Sequence, residues 1–263
     1  EHGVSLDGVN TGFVDSGKDF GSSFVRMLKA PKIAILSGEP TSSSRFGEIW
    51  HFFEQQLEYP FTILDTEYAD NINMDVYDIM ILPGGRYAGY FDKEKLQELK
   101  TWVRKGGKLI AMGGAISGIA GDDGFDIKLK KTKKDSSTKE LKPHNNRRRE
   151  SMKNAITGAI FKATVDNGHP LAYGYGSSYY TLKLGSTAFD YLASGNVAYF
   201  ENDAKPVSGF AGSSAQKKIQ NSLVFGVENH GRGQVVYMVD NPLFRGFWQN
   251  GKLFFANALF MVK

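Results

Sequence analysis

The stretch KLIAMGGAISGIAG, Lys108 to Gly121, decides the fold. Leu109 to Met112 form a short apolar run of the kind buried on both faces of a parallel sheet. The glycine pair Gly113–Gly114 then turns the chain, and Ala115 to Ala120 reads as a short helix. In many α/β enzymes such a strand–turn–helix corner lifts a nucleophile above the carboxyl end of the sheet. Here the corner holds only Gly113, Gly114 and Ala115.

Working outward, the same pattern recurs. KIAILSG (32–38), FTILD (61–65) and YDIMILPGG (77–85) are further short strands. Between the first two, a hydroxyl-rich start offers N-caps, and Ile49, Phe53 and Leu57 are spaced for one helix face before Pro60. DKEKLQELKTWVRKGGK is an amphipathic helix with Leu96, Leu99 and Val103 on one side, closed by Gly106 and Gly107. Short apolar strands alternating with helices predict a doubly wound, mostly parallel α/β sheet of flavodoxin-like type. The runs AIFKATV, YYTLKL and VAYF then predict an antiparallel β elaboration in the C-terminal half. SLVFGVEN and GQVVYMVD form a hairpin around HGRG, and FWQNGKLFFANALFM is a last helix. Residues 1–31, rich in Gly and Ser, read as an extended lead-in or linker, and residues 32–263 as one α/β domain.

Composition narrows the chemistry. The 263 residues include 19 Phe and are 41% hydrophobic, enough for a real core. There is no cysteine, which excludes disulfides, thiolate metal sites and a cysteine nucleophile. No apolar run is long enough for a membrane span. The net charge of +4 is local in origin: Lys128 to Lys153 holds 11 Lys and Arg against 3 Asp and Glu. This basic insertion, about 122–153, has no aromatic residue from Lys128 to Glu150, so it offers no stacking platform, and no nucleic-acid partner is expected. Binding to another polyanion is the alternative use of that segment.

In a doubly wound sheet ligands bind beyond the carboxyl ends of the strands. Those ends supply Glu39, then Gly84, Gly85 and Arg86, then Gly113 and Gly114, then Asp240 and Asn241, with Arg245 following. These are the expected lining of a binding pocket. Either Arg86 or Arg245 suits a carboxylate by its forked guanidinium. A hydrolase or transferase working through Glu39 and Asp240 is a second reading, since paired carboxylates perform acid–base work when their environments differ. His51 and Glu54 match a His-x-x-Glu spacing, with His144 or His169 as a third ligand. His51 lies on an amphipathic helix between Trp50 and Phe52, however, and no metal site is expected. Ser117 falls beyond the turn where a serine nucleophile would stand.

YDIMILPGG, GGKLIAMGGAISG and GRGQVVYMVDNP together resemble the class I glutamine amidotransferases. The resemblance implies an oxyanion role for the first glycine pair. It puts the nucleophilic cysteine position on Gly113 and the catalytic histidine position on Asp240 or Asn241, before Pro242. Neither residue needed for that chemistry is present, so no catalytic residue is expected. GEIWHFFE, HPLAYGYGSSYYTLKLG and DNPLFRGFW are similar to the amidotransferase-like domain at the C-terminus of bacterial zinc carboxypeptidases of the carboxypeptidase A type, well represented in Bacteroidetes. That resemblance covers Lys32 to Lys263. It implies a secreted or periplasmic parent, a peptidase domain upstream as partner, and zinc held there, with no cofactor in this chain. The implied role is structural, or the binding of a small carboxylate or peptide ligand.

Overall fold

The computed structural model describes residues 3, 5, 7–23, 25, 29–121, 124–131 and 143–262. The chain divides into two units, Glu1–Ala30 and Pro31–Lys263. Among its described residues the first has no regular helix or strand. It is a series of bends, one closed by the Phe20 amide on the Gly12 carbonyl at 2.9 Å.

The second unit begins with β1 (Ile33–Ser37), α1 (Ser43–Phe52), β2 (Thr62–Asp65), β3 (Ile79–Leu82), α2 (Lys93–Lys105), β4 (Lys108–Met112) and α3 (Gly114–Ile119). It continues through α4 (Arg147–Lys153), β5 (Ile156–Val165), β6 (Ser178–Lys183), β7 (Asn196–Phe200), β8 (Pro206–Ala211) and α5 (Ser213–Ile219). A hairpin of β9 (Ser222–His230) and β10 (Gly233–Met238) and a last helix α6 (Gln249–Phe260) complete it. Of the basic insertion, residues 122, 123 and 132–142 lie outside the described residues.

The ten strands form one sheet in the order β2-β1-β3-β4-β10-β9-β7-β5-β6, with β8 also beside β5. From β2 through β10 all neighbours are parallel. From β10 onward every pairing is antiparallel. The expected antiparallel elaboration is present, and the expectation of a mostly parallel sheet is corrected to a mixed one with four parallel and five antiparallel pairings. The cause is connection length: a parallel neighbour needs a long crossover, and the two residues between β9 and β10 allow only a hairpin.

Side-chain alternation on the parallel strands builds two apolar layers. Ile33, Ile35, Ile79, Ile81, Ile110 and Val236 face α1 and α6. Ala34, Leu36, Met80, Leu82, Leu109 and Val235 face α2 and α3. Helix α2 follows its sequence closely. The Asp92 side chain caps the Lys95 amide at 2.9 Å, Leu96, Leu99, Trp102 and Val103 are buried, and Gly106 ends it at φ 127°. Helix α6 is apolar nearly all round, so its spacing does not announce which side is covered. Phe254, Phe255, Ala258 and Leu259 are buried, whereas Leu253 is exposed.

Lys108, at the start of β4, closes the other end of α6. Its Nζ donates to the carbonyl oxygens of Ala258 and Leu259, each at 2.9 Å. A cation at these carbonyls suits the negative end of the helix dipole, yet burial lowers its pKa to about 8. Between that value and the ordinary lysine range the unfolded chain binds more protons than the folded one, so stability rises with pH there. Urea unfolding should gain about 2 kcal/mol between roughly pH 7.5 and 9.5. Lys108→Met should flatten that slope.

Candidate functional site

Four strand ends meet at a pocket of about 380 Å³. Gly84, Gly85 and Arg86 come from the end of β3, Gly113 and Gly114 from β4, and Asp240 and Asn241 from β10, while the end of β6 supplies Leu182 and Lys183. The structure thus brings seven of the nine residues expected at the rim to one place. Glu39 is exposed and does not line this pocket, and neither does the guanidinium of Arg245. The pairing of Glu39 with Asp240 is therefore not found. The cis Glu39–Pro40 peptide carries the chain out of β1. There the Glu39 carbonyl accepts from Thr66 Oγ1 at 2.5 Å.

The glycines differ in what they do. Gly113 has φ 52° and ψ −118°, a sharp strand-to-helix corner that L side chains rarely adopt. Its amide donates to the Met238 carbonyl at 2.8 Å, tying the corner to β10. A Cβ at Gly113 would stand 4.0 Å from the nearest atom, Gly84 Cα, so the space above the corner is open. Gly85 and Gly114 instead permit backbone contact. A Cβ on Gly114 would lie 2.1 Å from the Gly85 carbonyl oxygen, and one on Gly85 would lie 2.2 Å from that of Pro40.

Asp240 is committed. Lys183 Nζ donates to its Oδ1 at 2.9 Å, and Thr181 Oγ1 donates to its Oδ2 at 3.0 Å. The lysine side chain is 2% exposed and the aspartate 6%. Both donors come from β6, four strands away from β10 in the sheet order. In a flat sheet that separation is about 19 Å, so the antiparallel half must curl back over the strand ends. Register shifts in the β7–β9 and β5–β8 pairings and a β5–β7 contact limited to Thr164 and Val165 allow it.

A second carboxylate was missed from sequence. Glu48, on α1, accepts from Arg45 Nη1 at 3.1 and 3.2 Å, from Asn241 Nδ2 at 2.5 Å and from the Arg245 backbone amide at 2.8 Å. It holds the chain after β10 against α1, with Arg245 at φ 50°. Arg245 therefore contributes its amide, while its guanidinium lies 5.2 Å from the Phe244 ring centre. The Arg45–Glu48 spacing on one helix face was the available signal; the reach to Asn241 is tertiary and has none.

The remaining candidates scatter. His51 and Glu54 are exposed, and His144 is exposed on the turn before α4. His169 Nδ1 accepts from the Leu171 amide at 3.1 Å, and burial lowers its pKa. Among the described residues no three His, Asp or Glu side chains converge. Ser117 is exposed on α3 at the pocket edge.

The two corner glycines should respond differently to a methyl group. Gly113→Ala is expected to fold, at a cost of about 1–3 kcal/mol for the strained backbone. Gly114→Ala should cost more, because a carbonyl oxygen fixed in the next turn cannot retreat. Paired urea titrations read the difference.

No sequence-family model and no curated protein matches the chain. Solved structures do. A protein from Thermoplasma acidophilum, provisionally named as part of a GMP synthase, aligns with a TM-score of 0.50 at 12% identity, over 88% of this chain and 93% of that one. A glutamine amidotransferase from Thermotoga maritima aligns at 0.48 and 12%, over 82% and 77%. The exo-β-1,4-mannosidase Op5Man5 from Opitutaceae bacterium strain TAV5 aligns at 0.44 and 11%, over 89% of this chain. The chain spans only 37% of that glycosidase's length. The mixed ten-stranded α/β sheet shares its fold with the Thermoplasma protein, and at 12% identity the agreement concerns the fold alone.

Proposed function

We propose that this chain is a non-catalytic amidotransferase-like domain whose strand-end pocket holds a small carboxylate ligand. The observation that carries the reading is the state of the two positions on which the resemblance places catalysis. Gly113 occupies a nucleophile-type corner without a side chain, and Asp240 is engaged by Lys183 and Thr181. Removing one member of such a catalytic unit costs up to about 10⁶ in turnover, and here both are replaced. The carboxylates of the pocket, Glu48 and Asp240, are each satisfied internally. Arg86 is exposed at the rim, and among the described residues no carboxylate pairs with it. That charge suits an incoming anion, and Met112, Leu182 and Val239 give the pocket an apolar wall.

On the sequence resemblance, the domain serves as the accessory part of a secreted or periplasmic zinc carboxypeptidase. The peptidase domain of the same polypeptide is its partner, and the zinc belongs to that domain. The role toward that partner is support.

Calorimetric titration with N-acetyl-leucine tests the pocket. The wild type should bind it, and Arg86→Ala should weaken binding about 10- to 100-fold, as expected for a charge-assisted hydrogen bond. Hydrolysis of glutamine and of p-nitrophenyl acetate should stay at the solvent background. Turnover that disappears in Glu39→Gln would overturn the reading, as would a wild type that binds no carboxylate.

A further inference from the structure

The pocket has one wall made of backbone. Strand β6 ends the sheet order, so one of its edges is unpaired among the described residues. Its hydrogen-bonding phase follows from its partner. The Val165 amide donates to the Ser177 carbonyl at 3.0 Å, which makes that pair a bonded one. Antiparallel pairs alternate, so Ala163–Tyr179, Phe161–Thr181 and Ala159–Lys183 are bonded as well. The N–H and C=O groups of Tyr180 and Leu182 therefore point away from β5. Asn250 Nδ2 donates to the Tyr180 carbonyl at 3.0 Å. The edge is open only from Leu182 onward, and there Leu182, Lys183, Leu184 and Gly185 line the strand-end pocket.

The usual protections of an open edge are missing there: no proline and no outward-facing charge stand on β6. Its only charge, Lys183, points inward to Asp240. The polar residues Thr181 and Lys183 are buried, while Tyr180 and Leu184 are 44% and 43% exposed. This strand presents its apolar phase outward, beside a Leu182 peptide group with no partner among the described residues, and Arg86 lines the same pocket.

We propose that this edge binds the C-terminal residues of an extended peptide as a short added strand, with the terminal carboxylate at Arg86. The proposal rests on the carboxylate pocket described above and names its ligand class. Because the pocket lies at the carboxyl end of β6, the peptide runs parallel to β6. Leu182 N–H then meets the carbonyl of one ligand residue, and Leu182 C=O meets the amide two residues further on. With Asn250 closing the upstream end, about three ligand residues fit, and a longer peptide gains nothing.

Calorimetry on the whole chain with four probes tests this. They are acetyl-leucine, acetyl-Ala-Val-Leu, its C-terminal amide, and the tripeptide methylated in turn at each backbone nitrogen. The tripeptide should bind at least 10-fold tighter than acetyl-leucine. One N-methylation should remove that gain, and the amide should lose binding. Leu182→Pro, which deletes an N–H that makes no bond within the sheet, should bind the tripeptide no tighter than acetyl-leucine. If acetyl-leucine binds but the tripeptide binds no tighter, or no methylation matters, the added strand is wrong and the carboxylate pocket stands. If neither binds, both are wrong.

Discussion

The buried contact between Lys183 and Asp240 is the constraint from which the rest of the molecule follows. An ion pair taken out of water must recover a desolvation cost of several kcal/mol per ion, and it does so only with short, fully satisfied geometry. Here Thr181 supplies the additional donor to the carboxylate, and the Phe200 ring lies 5.8 Å from the ammonium. To make that contact the antiparallel half of the sheet has to bend until β6 stands over the end of β10. That bend encloses the strand-end pocket, gives it its fourth wall, and aims the open edge of β6 into it.

The corner at Gly113 rests on a different constraint, the absence of a Cβ. A strained strand-to-helix turn is costly for any residue with a Cβ, and in enzymes the strain is retained because it positions a nucleophile. With glycine in place the turn costs little, and it persists because Gly85 and Gly114 pack backbone to backbone beneath it. At the neighbouring strand end the Asp240 carboxylate is paired with a lysine from the other half of the sheet. On the function proposed above, the rim at these strand ends serves as scaffold, and its polar groups are turned toward one another. Glu48 does the same on the other side, fastening α1 to the residues after β10.

How much of this was legible in the sequence depends on whether the signal is local. β1, β3, β4 and α2 announced themselves because burial on both faces, a cap and a C-terminal glycine are written within a few residues. The strand ends, and with them most of the pocket lining, followed from those elements. β8 went unread: it begins at Pro206, contains Gly209 and is largely exposed, so it has no apolar run. The antiparallel half was read where it is apolar, in AIFKATV, YYTLKL, VAYF and the β9–β10 hairpin, and its share was underestimated because β8 was not. The largest gap is β6. Its sequence SYYTLKL invites Tyr180, Leu182 and Leu184 into the core, but the fold buries Tyr179, Thr181 and Lys183 instead. Nothing within the strand reverses that phase; the reason is Asp240, 57 residues away.

The measurement that bears most directly on this account is a double-mutant cycle in urea across Lys183→Met and Asp240→Leu. Each single change leaves one charge buried without its partner and should cost about 3–5 kcal/mol. The double variant, with an apolar pair in the same space, should be far more stable than the sum of the two losses and no worse than either single. Additive losses would mean that the two side chains do not depend on each other, and that the curl of β6 over the strand ends has another cause.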